Sequence, residues 1–468
     1  MMERMSSYSA VVTTGIYCRP ECSASPDPRN VRAYSSAAAA EAAGFRACMR
    51  CRPYRSSDAP LGSCSPEIVC RAVRLVLDGA LDDGATERHL GARLGISPRH
   101  LRRLFEEHLG VTPDQLARSR RAHFARRLLD DTDLTISEIA CASGFGSTRQ
   151  LNRVCRGIFR ESPSTLRSRR RRADRLVADG GLALRLAFSG PLDWESMLGY
   201  FQARAIPGVE HVEDGTYRRT VEIDGDPALI ELSLGSADHL TLRAHLPHWA
   251  GLIHHAQRAR QIFNLDADLA TAEQWLGADA LLAPMLDAHP GLRTPGTWDP
   301  FETGVRAILG QQVSVPGANT LIGRLVERHG RPVPGLSQMQ LSHLFPTPSQ
   351  LAEANLDGLG LTGNRALAVN AFARAVLEGE VVLDRSRSCE ELIGSILAVP
   401  GLGEWTAQYI ALRLGEPDAF PATDLGIRRA LERAMGRDVD GREAESLAEP
   451  WRPHRALAAI HLWLSGHS

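Results

Sequence analysis

Apolar residues recur at helical spacing over two long parts of the chain, and they alternate as in strands over the part between. The helical period runs from about residue 67 to 167 and returns at about residue 271, where proline and glycine punctuate it. Between these parts, "LALRLAF", "YRRTVEI" and "ALIELSL" alternate or cluster apolar residues as short strands do. The pattern therefore predicts several domains: a helical one at 67–167, an α+β one at about 182–270, and a second helical one at 271–468.

Two stretches of the first helical part have the pattern of a helix, a turn and a second helix. In "TERHLGARLGISPRHLRRLFEEHLG", Gly95 makes the turn, Ser97 caps the second helix and Pro98 takes its first position. Further along, "TISEIACASGFGSTRQLNRVCRGIF" repeats the plan with Gly144 at the turn. Such second helices read the major groove of DNA. The arginines that we expect to contact DNA are Arg99, Arg102, Arg149 and Arg153.

Four cysteines near the start form two close pairs. Cys18 and Cys22 have the spacing C-x3-C, and Cys48 and Cys51 have the spacing C-x2-C. Four soft thiolates in two pairs suit tetrahedral Zn²⁺, which would stabilise a small segment with few apolar residues. The alternative is four free thiols. We expect a cytoplasmic protein, because neither a secretory signal nor a membrane-spanning apolar run is present, and thiols stay reduced there.

The distribution of charge divides the chain into a basic and an acidic part. Up to Gly180 there are 30 arginines and 20 acidic residues, and from Gly181 onward there are 24 arginines and 35 acidic residues. The first part is therefore suited to a polyanion such as DNA. All 54 basic residues are arginine, so the chain contains no lysine. Chemistry that requires a lysine amine is excluded.

The sequence "VPGLGEWTAQYIALRLGEPDAFPATDLGIRRALE" carries the chemistry of the second helical part. Gly401 and Gly403 allow a tight hairpin between two helices, which directs backbone N–H groups at a phosphate without reading sequence. Asp424 follows, directly ahead of a helix. An aspartate in that position is either an N-cap or a catalytic carboxylate, and it can be both.

These motifs resemble three families. The segments "TTGIYCRPEC", "NVRAY" and "AAGFRACMRC" are similar to the zinc domain of the Ada family, although only twelve residues precede Thr13. The two helix pairs and the closing "SPSTLR" resemble an AraC-type DNA-binding domain. "PGLGEWTA" with "PATD", together with "LDWESMLGYFQARAIPGVEHV" and "WRPHRALAAIHLW", resembles AlkA-type 3-methyladenine glycosylases of the helix-hairpin-helix superfamily.

The resemblances imply a multidomain fold with the following order: a small, shortened zinc domain with four cysteine ligands at 1–56, an all-α double helix-turn-helix domain at 67–167, a basic linker at 168–181, an α+β domain like the TATA-binding protein at 182–270, and an all-α glycosylase domain at 271–468.

The same resemblances imply roles for particular residues. Cys18 would accept a methyl group from a methylphosphotriester in DNA, and Asp424 would be catalytic. Gln312 in "GQQVS" would fill the gap that a flipped base leaves in the duplex. The aromatic residues of the base pocket would be Trp405, Tyr409, Trp463 and Tyr200, and each of them could instead belong to the core, Tyr200 above all.

The sequence thus predicts a DNA repair enzyme that hydrolyses the N-glycosidic bond of alkylated bases and also regulates transcription. Without lysine it would leave an abasic site uncut, and the glycosylase chemistry would need no cofactor. Its expected partners are alkylated double-stranded DNA, promoter DNA and RNA polymerase, but no membrane. The first alternative is a regulator whose glycosylase half only binds DNA, and the second is a zinc domain that only helps to hold DNA.

Overall fold

The computed structural model describes residues 8–55, 66–176 and 180–465. The chain forms two compact units. The first unit comprises residues up to Ser189 with Thr241–Arg243 and His248–Arg258, and the second unit comprises the remainder. Within the described ranges, no helix is both long enough and apolar enough to cross a membrane.

A small sheet carries the cysteines of the first unit. Its strands are β1 (Tyr8–Val11), β2 (Ile16–Cys18), β3 (Val31–Tyr34) and β4 (Arg46–Ala47), in the order β3-β1-β2-β4. Strand β1 is antiparallel to β2 and β3, and β2 is parallel to β4. The short helix α1 (Ala37–Ala42) connects β3 to β4, with Ser36 as its N-cap. The parallel pair brings the end of β2 next to the end of β4.

The rest of the first unit is mainly helical. Its helices are α2 (Glu67–Leu77), α3 (Glu87–Arg93), α4 (Pro98–Leu109), α5 (Pro113–Asp131), α6 (Ile136–Ala142), α7 (Thr148–Ile158) and α8 (Pro163–Ser168). The predicted helix-turn-helix geometry is confirmed, since Gly95 and Gly144 have φ of 70° and 72° at the turns. Ser97 caps α4 through the N–H of His100. Buried apolar side chains of α2 to α5, among them Leu90 and Phe105, form one core.

The strands predicted between the helical parts are present. They are β5 (Leu182–Ala187), β6 (Glu210–Glu213), β7 (Thr216–Ile223), β8 (Asp226–Ser236) and β9 (His239–His245). Within the second unit, β7 pairs antiparallel with both β6 and β8, with Tyr217 opposite Val212 and Leu232. Helix α9 (Trp194–Arg204) packs on this face, because Phe201 contacts the ring of Tyr217. An α+β arrangement therefore precedes the second helical part.

The remainder of the second unit is helical with two very short strands. The helices are α10 (Leu252–Ile262), α11 (Leu269–Leu276), α12 (Ala283–Ala288), α13 (Pro300–Leu309), α14 (Val315–His329), α15 (Pro348–Ala352), α16 (Gly363–Leu377), α17 (Cys389–Leu397), α18 (Glu404–Arg413), α19 (Leu425–Met435), α20 (Gly441–Ala448) and α21 (Arg455–Ser465), and the strands are β10 (Arg331–Pro332) and β11 (His343–Leu344). Helix α10 has residues in both units. Helix α13 is almost wholly buried, and its Phe301 stacks on Phe372 of α16 with centroids 5.6 Å apart.

Candidate functional site

The carboxylate of Asp424 lies at the start of α19. It caps the helix, because its Oδ1 accepts the backbone N–H groups of Gly426 at 2.8 Å and Ile427 at 3.1 Å. Asp424 can serve both as an N-cap and as a catalytic carboxylate, because only one of its oxygens makes the cap and the residue is only partly buried. The helix N-terminus also favours a negative charge at this point.

Two indole groups hold the same carboxylate. Nε1 of Trp405 donates to Oδ2 of Asp424 at 2.8 Å, and Nε1 of Trp463 donates to Oδ1 at 2.7 Å. Trp405 belongs to α18 and Trp463 to α21, so three helices meet at one group. Hydrogen bonds to a charged acceptor are stronger than neutral ones. The carboxylate is consequently fixed in one orientation.

The expected aromatic residues come together around Asp424. The ring of Tyr409 stacks on Trp405 with centroids 5.3 Å apart and an angle of 17° between the planes. The ring of Trp463 lies 6.1 Å from that of Tyr409. Tyr200 joins them through its hydroxyl, which is 3.3 Å from the hydroxyl of Tyr409. The structure therefore places all four aromatic side chains in one cluster.

Arg413 joins this cluster, and sequence reasoning missed it. Its Nη1 donates to the hydroxyls of Tyr409 at 3.0 Å and Tyr200 at 3.3 Å, while Nε and Nη2 donate to the carbonyls of Pro295 and Gly296. It follows Tyr409 by four residues, so both side chains lie on one face of α18. That spacing is the only sequence signal that could have found it.

Burial and nearby arginines change the acidity of the two tyrosines. Burial alone raises the pKa of Tyr409, but the charges of Arg413, Arg204 and Arg306 outweigh burial and lower this pKa to about 8. Burial dominates for Tyr200 and raises its pKa to about 12. The two hydroxyls hydrogen-bond to each other and therefore titrate as a pair. Within this pair, Tyr409 loses its proton at a much lower pH than Tyr200.

Tyr200 also borders a second feature, a polar cavity. Its lining includes Tyr200, Arg413, Arg306 and Glu302, but not Asp424. Only 8% of the surface of Tyr200 is exposed, and the guanidinium of Arg204 lies 4.1 Å from its ring centroid. Tyr200 therefore packs between this cavity and the cluster around Tyr409.

The glycine hairpin lies between α17 and α18, as predicted. Gly401 has φ of 87°, and a Cβ there would come within 2.9 Å of the Cβ of Ala368. Gly403 is the N-cap of α18. The side-chain amide of Gln311 donates to the carbonyl of Gly401 at 3.2 Å, which ties the loop after α13 to the hairpin.

Gln312 occupies the tip of that loop. It is exposed and has φ of 55°, a left-handed conformation that few non-glycine residues adopt. Its neighbour Gln311 is anchored on the other side by Arg365, which donates to its carbonyl at 2.6 Å. Gln312 is therefore exposed to solvent beside a neighbour that is anchored on both sides.

The four N-terminal cysteines form one cluster. The Sγ atoms of Cys18, Cys22, Cys48 and Cys51 lie within 4.8 Å of one another. The N–H groups of Arg19 and Arg50 point at the sulfurs of Cys51 and Cys48, as expected for backbone donors to thiolates. Zinc–sulfur bonds of about 2.3 Å place sulfurs roughly 3.8 Å apart, so one tetrahedral ion fits this set with little movement.

The segment after the last of these cysteines is fixed to the long helix α5. Nη2 of Arg55 lies 3.2 Å from carboxylate oxygens of both Asp130 and Asp131. Arg52 pairs with Asp174 at 2.7 Å, and the hydroxyl of Tyr54 donates to Asp130 at 3.2 Å. These partners are about 75 or more residues apart in sequence. Sequence reasoning missed them, since no local pattern links them.

The arginines predicted to contact DNA differ in their surroundings. Arg99, Arg149 and Arg153 are exposed, and among the described residues they form no ion pair or hydrogen bond. Arg102 instead donates two hydrogen bonds to Oε2 of Glu87 on α3, at 3.1 and 2.7 Å. The side chain of Arg102 is still 57% exposed. Three of the four arginines therefore offer all their donors to solvent.

Four segments of the chain match known sequence families. Residues 5–54 match the metal binding domain of Ada, and residues 90–169 match a helix-turn-helix domain. Residues 183–299 match the AlkA N-terminal domain, and residues 305–453 match the HhH-GPD superfamily of base excision DNA repair proteins. The two segments that match repair proteins together run from residue 183 to residue 453.

Individual proteins are similar over long stretches. The probable bifunctional transcriptional activator/DNA repair enzyme AlkA of Mycobacterium tuberculosis is 40% identical over 459 residues, which are 97% of this chain and 92% of that protein. DNA-3-methyladenine glycosylase 2 of Escherichia coli is 34% identical over 59% of this chain and 95% of its own length. A solved 3-methyladenine DNA-glycosylase from Archaeoglobus fulgidus shares the fold, with a TM-score of 0.54 at 23% identity over 60% of this chain and 98% of its own.

Fold and motifs together define the class: a helix-turn-helix regulator with a metal-binding cysteine domain, fused to a helix-hairpin-helix glycosylase. The chain belongs to the family of the bifunctional transcriptional activator/DNA repair enzyme AlkA.

Proposed function

We propose that this chain excises alkylated bases, of the 3-methyladenine and 7-methylguanine type, from double-stranded DNA and also acts as an alkylation-responsive transcription regulator. The observation that carries the first part is the carboxylate of Asp424, held by the indoles of Trp405 and Trp463 beside an aromatic cluster. A base-excision enzyme needs one fixed anion near the sugar and an apolar, electron-rich place for the base.

The chemistry follows from the charge of the substrate. A base alkylated on a ring nitrogen is cationic, so the C1′–N bond can break with its electron pair leaving on the base. Positive charge then develops on the sugar, and the carboxylate of Asp424 would stabilise it. Water attacks C1′, and the same carboxylate would accept the proton that the water loses. Aromatic faces such as those of Trp405 and Tyr409 attract the cationic base by about 1 kcal/mol.

The absence of lysine limits what happens afterwards. A glycosylase that also cuts the strand commonly forms a Schiff base between a lysine amine and the sugar. The chain offers no lysine, and only its N-terminal amine could substitute. We therefore propose a monofunctional glycosylase that leaves an intact abasic site.

In the first unit we propose that Zn²⁺ binds to Cys18, Cys22, Cys48 and Cys51, whose sulfurs already lie within 4.8 Å of one another. Coordination to a dication would keep these thiols ionised at neutral pH. The Cys18 thiolate would attack the methyl carbon of a methylphosphotriester: the S–CH3 bond forms, the O–CH3 bond breaks, and the phosphodiester leaves as an anion. Loss of one negative charge from the cluster would strengthen binding to DNA, so that the repair event becomes a signal to promoter DNA and RNA polymerase.

The excision proposal is tested by release of 3-methyladenine from DNA treated with a methylating agent. Asp424→Asn keeps a residue able to cap α19 but removes the charge, and we expect it to abolish release. Asp440→Asn is the matched control, because Asp440 caps α20 in the same way through the N–H of Glu443. Full activity of Asp424→Asn would refute the catalytic role of its charge. No release by the unaltered chain would refute excision and favour a glycosylase half that only binds DNA.

The zinc proposal has its own test. We expect one zinc per full-length chain by elemental analysis and a mass gain of a single methyl group on Cys18 after incubation with methylphosphotriester DNA. Cys18→Ser should lose the methyl acceptor, whereas Cys70→Ser, outside the cluster, should lose neither zinc nor methyl transfer. Folded, metal-free protein with an unmodified Cys18 would contradict it.

A further inference from the structure

The two DNA-reading helices, α4 and α7, repeat the same residues at the same positions. Ser97 and Ser147 are the N-caps, and an arginine stands at the second position of each helix. A second arginine follows four residues later in both, so each helix carries the series Arg-x-x-x-Arg. Residues four apart lie on one face of a helix. The arginines concerned are Arg99 and Arg103 in α4, and Arg149 and Arg153 in α7.

The core fixes both helices in the same rotation. Leu101 of α4 and Leu151 of α7 occupy the fourth helical position, and their exposed fractions are 1% and 0%. Because equivalent positions are buried, the arginine pairs project from equivalent faces, next to the helix N-termini. The first turns of a recognition helix are the part that meets base edges.

The amides of α7 are occupied within the protein. Oε1 of Gln150 accepts the N–H of Gly146 at 3.0 Å, and Nδ2 of Asn152 donates to the carbonyl of Thr148 at 2.9 Å. Asparagine and glutamine are the side chains that recognise adenine by two hydrogen bonds. An amide that already holds the backbone has fewer atoms left for such a pair, so α7 is poorly equipped to read adenine.

The arginines remain available. Among the described residues, Arg99, Arg149 and Arg153 make no hydrogen bond or ion pair. Arg103 gives one N–H to Nδ1 of His100 at 3.0 Å, which leaves the rest of its fork unoccupied. An arginine fork matches the O6 and N7 acceptors of guanine, the most common specific contact in the major groove.

We propose that both helix-turn-helix units read guanine, through Arg99 and Arg103 in one segment of the site and through Arg149 and Arg153 in another. The inference rests on the proposed regulatory function of the first unit and adds the base chemistry of its target. The sequence to which the chain binds thus contains two guanine-bearing elements of similar composition, one for each helix.

The test is in vitro selection with the full-length chain on a random library of undamaged duplex DNA, which needs no excision or methyl transfer. We expect two guanine-containing elements to be enriched. Replacing the critical guanines by 7-deazaguanine, which lacks the N7 acceptor, should weaken binding about 10-fold or more, whereas 7-deazaadenine at neighbouring positions should not. Arg149→Ala should relax the preference in one element, and Arg99→Ala in the other.

Arg149→Lys separates base reading from phosphate binding. Lysine keeps the charge but not the planar fork, so it should fail to restore the guanine preference. If Arg149→Ala weakens binding equally on all sequences, reduces the salt dependence by about one ion and is rescued by lysine, the arginine contacts phosphate and the guanine inference is wrong. Sequence-specific binding without enriched guanine would overturn the guanine inference but would leave the proposed binding to promoter DNA intact. The absence of any sequence preference would overturn both the guanine inference and the proposed regulatory function.

Discussion

Nε1 of Trp463 lies 2.7 Å from Oδ1 of Asp424, although 39 residues separate them in the sequence. This contact gives Trp463 a role besides its proposed place in the base pocket, because its indole N–H orients the carboxylate that is proposed to face the sugar. Trp405 does the same for Oδ2. The anion is thus positioned by side chains as well as by the start of α19.

Replacing Trp463 by phenylalanine should slow excision while leaving the chain folded. The change keeps an aromatic ring but removes a hydrogen bond to a charged group, worth about 1.5–3 kcal/mol, so we expect roughly a 10-fold to 100-fold lower single-turnover rate. The matched control is Trp451→Phe, because Nε1 of Trp451 donates to Oδ2 of Asp279 at 2.8 Å, away from Asp424. Equal rates for Trp463→Phe and the unaltered chain would show that the indole bond is unimportant.

Tyr409 should ionise unusually early as the pH rises. Its pKa of about 8 lies below the ordinary value of about 10, because Arg413 and two further arginines overcome the effect of burial. Between pH 8 and 10 the folded chain has lost a proton that the unfolded chain retains, so Tyr409 adds stability as the pH rises through this window, and that contribution is lost again below pH 8.

Near-ultraviolet absorbance of phenolate measures this ionisation directly. The unaltered chain should show a step near pH 8 that Tyr409→Phe abolishes, whereas Tyr200→Phe should leave a step in the same range, since the pKa of Tyr200 is about 12. If Tyr409→Phe and the unaltered chain give the same absorbance curve around pH 8, the step does not belong to Tyr409 and the assignment fails.

Gly401→Ala should destabilise the hairpin and weaken binding to DNA. The new Cβ would meet Ala368 at 2.9 Å, and φ of 87° is unfavourable for alanine by about 1–2 kcal/mol. Gly379→Ala is the matched control, because Gly379 has φ of 74° with nothing within 4 Å of an added Cβ. Both variants should lose stability in urea unfolding, but only Gly401→Ala should lose affinity for undamaged duplex DNA. Equal affinities of Gly401→Ala and Gly379→Ala for undamaged duplex DNA would mean that the hairpin does not contact the DNA backbone.

Arg55→Met should destabilise the first unit by about 3 kcal/mol, since it removes a partner of two carboxylates whose side chains are 0% and 3% exposed. Arg118→Met is the comparison, because its pair with Asp114 is half exposed on both sides and should contribute little. Urea unfolding of the full chain, followed through the first transition, measures both. If Arg55→Met lowers the free energy of unfolding no more than Arg118→Met does, the contact of Arg55 with Asp130 and Asp131 does not hold the cysteine segment on α5.

Several features could be predicted because their signal is local. Ser97, Pro98 and Gly95 specify a cap, a first turn and a left-handed turn within four residues of one another, and the structure has all three. The cysteine spacings likewise predict one cluster, which the Sγ positions confirm. The position of Asp424 ahead of a helix could also be predicted from the sequence. The sequence could not predict whether Asp424 caps the helix, lies beside the aromatic cluster, or does both.

The sequence by itself determined the domain types, the two helix-turn-helix pairs, the four clustered cysteines and the absence of lysine, since each follows from composition or from residues close together in the chain. Only the tertiary structure decided that Arg413 joins Tyr200 to Tyr409 across 209 residues, and that Arg55 meets Asp130 and Asp131. Such pairs leave no periodic trace in the sequence. They form because burying a charge is favourable only where packing brings a partner within hydrogen-bonding distance.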